Sequence, residues 1–336
     1  MPKASRLTEV TQGQALVCAG DGQCRSVLPA DVGGLHGAAE SAKRPVWVDV
    51  PSTEVGSLRA LQDVFGLHPL AVEDCIHVGH RAAFDEYPQH LFFLMVTLRP
   101  DAPTDLERIG ELEVFLGPDF VLTIHDGPVA IIDQLRQNAG HEPSPLSRGV
   151  DGLMHTVVDG AVDVYFAAVA SLEDQLDDLQ DRIFDPEDRG VLGALSALKR
   201  QGAGMRRHAM PLQDAIRRLA AGDHPLIRSD TALHFRDVYD HVLRINERLE
   251  TCRELVTSSF EAHYSAISTR ANDIMKVLSV VATIVLPMMF ITSFLGMNLG
   301  HMTHYLEGPS AFWGTMGAMA AVTLGTLLFL KRRKWM

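Results

Sequence analysis

Basic residues are the minority in this chain. Thirty Lys and Arg stand against 42 Asp and Glu, a formal net charge of −12 over 336 residues. That balance excludes a protein built to neutralise nucleic-acid phosphates, and it suits one that handles cations. Cysteine is scarce as well. Cys18, Cys24, Cys75 and Cys252 are too few for a disulfide framework in a chain this long, so reduced thiols are the expectation. No G-x-x-x-x-G-K-[ST] phosphate loop occurs, which leaves ATP-driven pumping without support. The opening stretch, MPKASRLTEVTQGQ, lacks the apolar core of a signal peptide, so the first domain is expected to stay in the cytosol.

Charge is also missing from two runs near the C-terminus. Nineteen residues from Val277 to Leu295 and twenty from Ala311 to Leu330 contain no Asp, Glu, Lys or Arg. Each is long enough to cross a hydrocarbon core of roughly 30 Å as a helix. Pro287 in the first span is tolerated in lipid where neighbours satisfy the freed carbonyl. The pair forms a hairpin whose flanks are basic: Arg270 and Lys276 before it, Lys331, Arg332, Arg333 and Lys334 after it, and no Lys or Arg in the connecting loop. The positive-inside rule places both termini in the cytoplasm and the protein in the plasma or inner membrane as a multi-pass chain. The uncharged spans also speak against an intramembrane proton relay. Two helices cannot enclose a pore, so an ion path requires a symmetric oligomer.

Ahead of the spans the pattern changes once. Residues 1–150 read as an α/β cytoplasmic domain, with strand-like runs at 46–50 (VWVDV), 90–98 (HLFFLMVTL), 111–117 (ELEVFLG) and 120–126 (FVLTIHD) separated by turn signals. HEPSPLSRG at 141–149 marks a boundary. Residues 151–271 read as a helical stalk domain: one helix over 153–184, another over 190–220, a break at GDHP (222–225), and a third from near Asp230 with no Gly or Pro until Pro287. Carried on through Pro287 to Asn298, about 65 residues, this helix makes a rod of roughly 100 Å at 1.5 Å per residue; it needs partners along its side, and copies of itself would supply them. Transmembrane helix 1 (272–298), an outer loop (299–310), transmembrane helix 2 (311–330) and a basic tail (331–336) complete an α+β membrane protein. The acidic stretch 172–190 holds eight carboxylates, either a solvated face or a cation-attracting one.

Gly296-Met297-Asn298 closes the first span. A G-M-N tripeptide alone is an ordinary helix terminator, but its place before the outer loop gives it weight. NDIMKVLSVVATIVLPMMFITSFLGMN (272–298), KRRKW (331–335), FRDVYDH (235–241), LKR (198–200), MPLQDAIRRL (210–219), DGAVDVYF (159–166) and LHPLAVED (67–74) together resemble the CorA family of magnesium channels. The resemblance implies a homopentamer in the lipid bilayer, an α/β funnel domain, stalk helices that run into the pore, and passive uptake of Mg2+, with Co2+ and Ni2+ as further cargo. It implies no enzyme activity. The related ZntB zinc transporters are the alternative, although their motif resembles G-V-N or G-I-N.

Mg2+ gives up its water reluctantly. A ring of neutral Asn298 amides accepts hydrogen bonds from the hydrated ion without binding it too tightly to leave, while Gly296 allows close helix approach. Helical spacing puts Asn272, Met275, Ser279, Ala282, Leu286, Met289 and Ser293 on one face. By resemblance, Asn272, Met275, Leu278, Leu286, Met289 and Ser293 line the pore, and the apolar rings at Met275, Leu278 and Leu286 close it by dewetting. Met289 stands where well-known members carry Thr. Regulatory Mg2+ sites, again by resemblance, involve Asp101 and Asp237; Asp237 and Asp240 lie on one helix face, which reads equally as a solvated one. The outer loop lacks the family's Met-Pro-Glu run, and His301, His304 and Glu307 are its candidate cation contacts. Imidazoles there favour Zn2+, Co2+ and Ni2+ over Mg2+. Cys75, His77 and His80, with Asp74 beside them, have a spacing that suits Zn2+.

Overall fold

The computed structural model of the chain describes residues 15–19, 24–27, 37, 45–51, 55–77, 79–99, 109–138, 146–184, 188, 190–297 and 309–333. The chain divides into two compact units: Met1–Arg182 with Gly190–Ser258, and Ile183–Arg189 with Ser259–Met336.

The first unit is built on seven strands: β1 (Ala15–Ala19), β2 (Cys24–Val27), β3 (Val46–Val50), β4 (Ala83–Glu86), β5 (Leu91–Leu98), β6 (Ile109–Leu116) and β7 (Phe120–His125). They form one sheet in the order β2-β1-β3-β7-β6-β5-β4. Only β3 and β7 pair in parallel, with Val46 opposite Phe120 and Val50 opposite Ile124. All five residues of β3 and all six of β7 are buried, the mark of strands covered on both faces. Helices α1 (Val55–Phe65) and α2 (Pro69–Ile76) cover one face. There Val48, Leu61, Phe65, Phe92, Phe115 and Leu122 share a core. His68 caps α2 by accepting from the Leu70 N–H at 3.3 Å, and Pro69 opens the helix where a missing N–H costs nothing.

Helices α3 (Ala130–Gln137), α4 (Gly149–Arg182) and α5 (Val191–Ala221) complete this part of the unit. Helix α4 packs on β5, β6 and β7. Its apolar stripe, Leu153, Val157, Val162, Tyr165, Val169 and Leu172, repeats at helical spacing and is buried. The Tyr165 hydroxyl donates to the Val96 carbonyl at 2.7 Å. Gly222, at φ 68°, ends α5 in the left-handed region that favours glycine.

One helix then runs from Ser229 to Leu295 as α6, 67 residues without a glycine and with Pro287 as its only proline. Asp151 at the start of α4 fastens the start of α6: its carboxylate accepts from the Arg228 backbone N–H at 3.0 Å and from the Arg228 guanidinium at 2.7 Å. Further along, Glu173 of α4 accepts from Arg248 Nε at 2.9 Å. In the second unit, α6 continues from Ser259, and α7 spans Pro309–Arg332.

The thiol expectation fails at two positions. Cys18 and Cys24 are directly opposite each other in the β1–β2 ladder and form a disulfide. A count of cysteines does not show that a hairpin sets two of them face to face. Cys75 and Cys252 are free and buried.

Among the described residues, three helices are long and apolar enough to cross a membrane: α4, α6 and α7. Half of the most apolar window of α4 is buried, against none of that of α6. Helix α4 therefore has its apolar partner inside the first unit.

Candidate ion pathway and metal site

Asn272, Met275, Leu278, Leu286, Met289 and Ser293 all lie on α6 and all are exposed. Met275 is 59 % exposed, Leu278 67 % and Leu286 64 %. The partly buried positions in the same stretch are Val280, Ile284, Pro287, Met288, Ile291 and Leu295. At about 100° per residue these two sets fall on opposite sides of the helix. One side of α6 is thus partly covered within the chain, and the side with the expected lining residues is bare. Helix α7 shows a similar stripe: Thr315, Met319, Val322, Thr326 and Leu330 are partly or fully buried, while Phe312, Trp313, Leu324 and Leu328 are exposed.

The end of α6 is closed by the Gly296 N–H, which donates to the Thr292 carbonyl at 2.9 Å. Gly296 is not among the described glycines with positive φ, so no left-handed cap forms at that residue. A Cβ at Gly296 would stand 3.2 Å from the Thr292 oxygen, a tight fit. Met297 is 54 % exposed. Asn298, Asp101, His301, His304 and Glu307 lie outside the described residues.

Asp237 is largely exposed on α6, with its carboxylate 3.6 Å from His241 Nε2 one turn on. The other nitrogen of His241 is 3.9 Å from the Asp159 carboxylate on α4. Asp159, Asp163 and His241 each offer a ligand atom, all within 4.8 Å of one another, and they are the one such group among the described residues. Partial burial, then the neighbouring Asp159 carboxylate, raises the Asp163 carboxyl above its ordinary value. Two carboxylates beside an imidazole offer the ligand types that a divalent cation takes. Sequence reasoning named Asp237 and missed these three. The visible signal was the i, i+4 pair Asp159 and Asp163 inside DGAVDVYF. Its meeting with His241, some eighty residues on, depends on packing. Asp240 is exposed and stands outside the group.

The spacing Cys75, His77 and His80 does not converge. Cys75 is buried and donates to the Ala71 carbonyl at 3.2 Å, and burial pushes its thiol up, away from the thiolate a metal needs. His77 is exposed, its Nδ1 3.0 Å from the Glu73 carbonyl. His80 points opposite nitrogens at Asp74 (3.9 Å) and Glu111 (3.8 Å). In the acidic stretch, Asp174, Asp177, Asp178 and Asp181 are exposed, as on a solvated face.

A seven-stranded α/β unit, a helix of 67 residues and a second apolar helix make up the fold. The solved structure of the CorA magnesium transporter from Methanocaldococcus jannaschii shares this fold, with a TM-score of 0.78 over 96 % of this chain and 98 % of that one at 20 % identity. Residues 42–332 match the family described as CorA-like Mg2+ transporter protein, and the chain belongs to that family. Among relatives, YfjQ of Bacillus subtilis is 29 % identical over 86 % of this chain and 89 % of its own. The cobalt/magnesium transport protein CorA of Thermotoga maritima is 25 % identical over 87 % and 84 %. The zinc transport protein ZntB of Yersinia enterocolitica is 23 % identical over 89 % and 90 %. The chain is a divalent-cation transporter of the CorA family.

Proposed function

We propose that this chain forms a homopentameric, Mg2+-preferring channel in the plasma membrane, with both termini cytoplasmic. Five copies of α6 surround the path. The observation that carries this reading is the two-sided character of α6: one side is partly covered within its own chain, while Asn272, Met275, Leu286, Met289 and Ser293 stand bare on the other. A bare stripe that mixes Asn, Ser and Met with Leu suits a partly wetted path between copies better than lipid contact. Asn298 forms the outer ring that accepts hydrogen bonds from hydrated Mg2+. The membrane potential supplies the drive, about 4.6 kcal/mol for a divalent ion at 100 mV.

Asp237, with Asp159, Asp163 and His241 behind it, is the regulatory site, and Asp101 supplies its partner on a neighbouring copy. Mg2+ bound there neutralises carboxylates that would otherwise repel, and holds the closed state. When internal Mg2+ falls, the ion leaves and the population shifts toward open.

Replacing Asn298 tests the pore. Asn298→Ala should abolish Mg2+ flux into proteoliposomes while the solubilised assembly keeps its mass. Unchanged flux would reduce Asn298 to a helix end and remove the proposed ring.

A second reading, Zn2+ transport, is favoured by the ZntB relative and by His301 and His304 in the outer loop. Neutral imidazole prefers Zn2+ to Mg2+. Micromolar Zn2+ should then compete with Mg2+ uptake at pH 7.5, and the competition should fade near pH 5.5, where imidazoles with pKa about 6.5 are protonated. Competition that survives His301→Ala/His304→Ala would move the Zn2+ contact elsewhere.

A further inference from the structure

A cavity of about 580 Å3 opens in the first unit among α4, α5, α6 and the segment after α2. Its size is usual for a small-molecule site. Its floor is aliphatic and sulfur-bearing: Leu172 of α4, Leu198 and Met210 of α5, Leu249, Cys252 and Val256 of α6. Its rim carries five cations: Arg81, Lys199, Arg206, Arg207 and Arg253. No lining residue is acidic, in a chain whose net charge is −12.

Part of the rim charge is balanced by a single carboxylate. One carboxylate, Glu250, serves two arginines, 2.8 Å from Arg206 Nη1 and accepting from Arg253 Nε at 2.9 Å. Arg81 and Arg207 have no carboxylate partner among the described residues. The volume is not a by-product of tight helix packing either. Gly202 and Ala203 stand in mid-helix on the cavity lining, where a glycine is unfavourable relative to alanine. A Cβ at Gly202 would meet only Leu172, at an ordinary 3.4 Å. The small residues leave room instead of filling it.

We propose that this cavity binds a single-chain anionic amphiphile, its alkyl chain on the Leu172–Met210–Val256 floor and its phosphate or carboxylate head held by Arg81 and Arg207. Apolar burial supplies affinity and the guanidiniums select the charge. A nucleotide fits less well. The lining offers no aromatic ring for a base to stack on and no Asn, Gln, Ser or Thr side chain to read its edge.

The test uses the full-length protein in nanodiscs of zwitterionic lipid, with binding of radiolabelled octyl phosphate and octanoate measured against empty nanodiscs. Saturable binding of one or both is expected, and the preferred probe identifies the head group. Inorganic phosphate and octyltrimethylammonium should each bind at least roughly tenfold more weakly, because each lacks one half of the recognition. The pair Arg81→Glu/Arg207→Glu should weaken octyl phosphate by about tenfold or more. Ala203→Phe, which fills the cavity and keeps all five cations, should do the same. Thermal melts show whether each variant is folded, and either one alone suffices. No saturable binding above empty nanodiscs, or equal binding in both folded variants, overturns the proposal. Adenosine monophosphate binding as tightly as octyl phosphate would make the site a nucleotide pocket. Absence of any binding, with Ala203→Phe breaking the assembly, would make the groove a contact between copies.

Discussion

Helix α4 and the C-terminal part of α6 are alike in composition and opposite in situation. Leu153, Val157 and Tyr165 of α4 are fully buried. Ile274, Leu278 and Phe290 of α6 are 62 %, 67 % and 71 % exposed. Both helices are apolar and long enough to cross a membrane. One finds its apolar partners in the sheet of its own chain; the other finds none there. The lesson is that hydropathy counts apolar residues but does not say what they touch. In α4 the stripe has one side, which a sheet can cover. In α6 the span from Val277 to Leu295 carries no charge on any side, as a membrane span requires.

Core truncation should break the comparison most strongly. Leu153→Ala should destabilise the first unit by about 2–5 kcal/mol, as for other buried leucines. Phe290→Ala removes more atoms from a site with little to lose, and should cost under about 1 kcal/mol in detergent. Guanidinium titration of both variants measures the difference. Equal losses would mean that α6 is packed as tightly as α4.

The carboxylates of the proposed regulatory site come next. Millimolar Mg2+ bound at the proposed site should protect the chain from proteolysis, and Asp237→Ala, and separately Asp159→Asn, should raise the Mg2+ needed by about tenfold. Protection equal to the parent's in both variants would remove the metal role from this group.

Two buried carboxylates in the first unit sharpen the picture with effects of opposite sign. Burial would raise Asp49, but contact with His125, the Arg136 charge and the Thr123 hydroxyl outweigh it and hold its pKa below 3.8. Its contribution is therefore present above the unfolded value and lost as pH falls below it. Burial, followed by the charges of Glu111 and Asp126, raises Glu113 well above 4.5. The unfolded Glu113 ionises while the folded one stays protonated, so stability declines as pH rises through that window. Glu113→Gln should abolish this decline, melting roughly a few degrees higher than the parent at pH 8 and alike near pH 4. A lower Tm at pH 8 would mean that Glu113 is ionised and paired in the fold.

Much of the architecture was legible because it depends on local pattern. The runs at 46–50 and 120–126 are short, apolar and bounded by turns, and they are strands β3 and β7. The helix from near Asp230 was visible from the lack of Gly and Pro, and only its ends moved, to Ser229 and Leu295. What stayed hidden depends on contact between distant segments. The Cys18–Cys24 disulfide needs the β1–β2 register. The Asp159, Asp163 and His241 group needs α4 laid against α6. The Cys75, His77 and His80 spacing failed for the converse reason: α2 ends at Ile76 and turns the three side chains to different surroundings.

The central claim, passive Mg2+ conduction driven by membrane potential, is tested most directly by the full-length protein in liposomes holding a Mg2+-sensitive dye, with a potassium diffusion potential imposed. Mg2+ should enter when the interior is negative, enter faster at more negative potentials, and need neither ATP nor a proton gradient. No Mg2+ entry at any potential, with Zn2+ entering only alongside a proton gradient, would contradict the account.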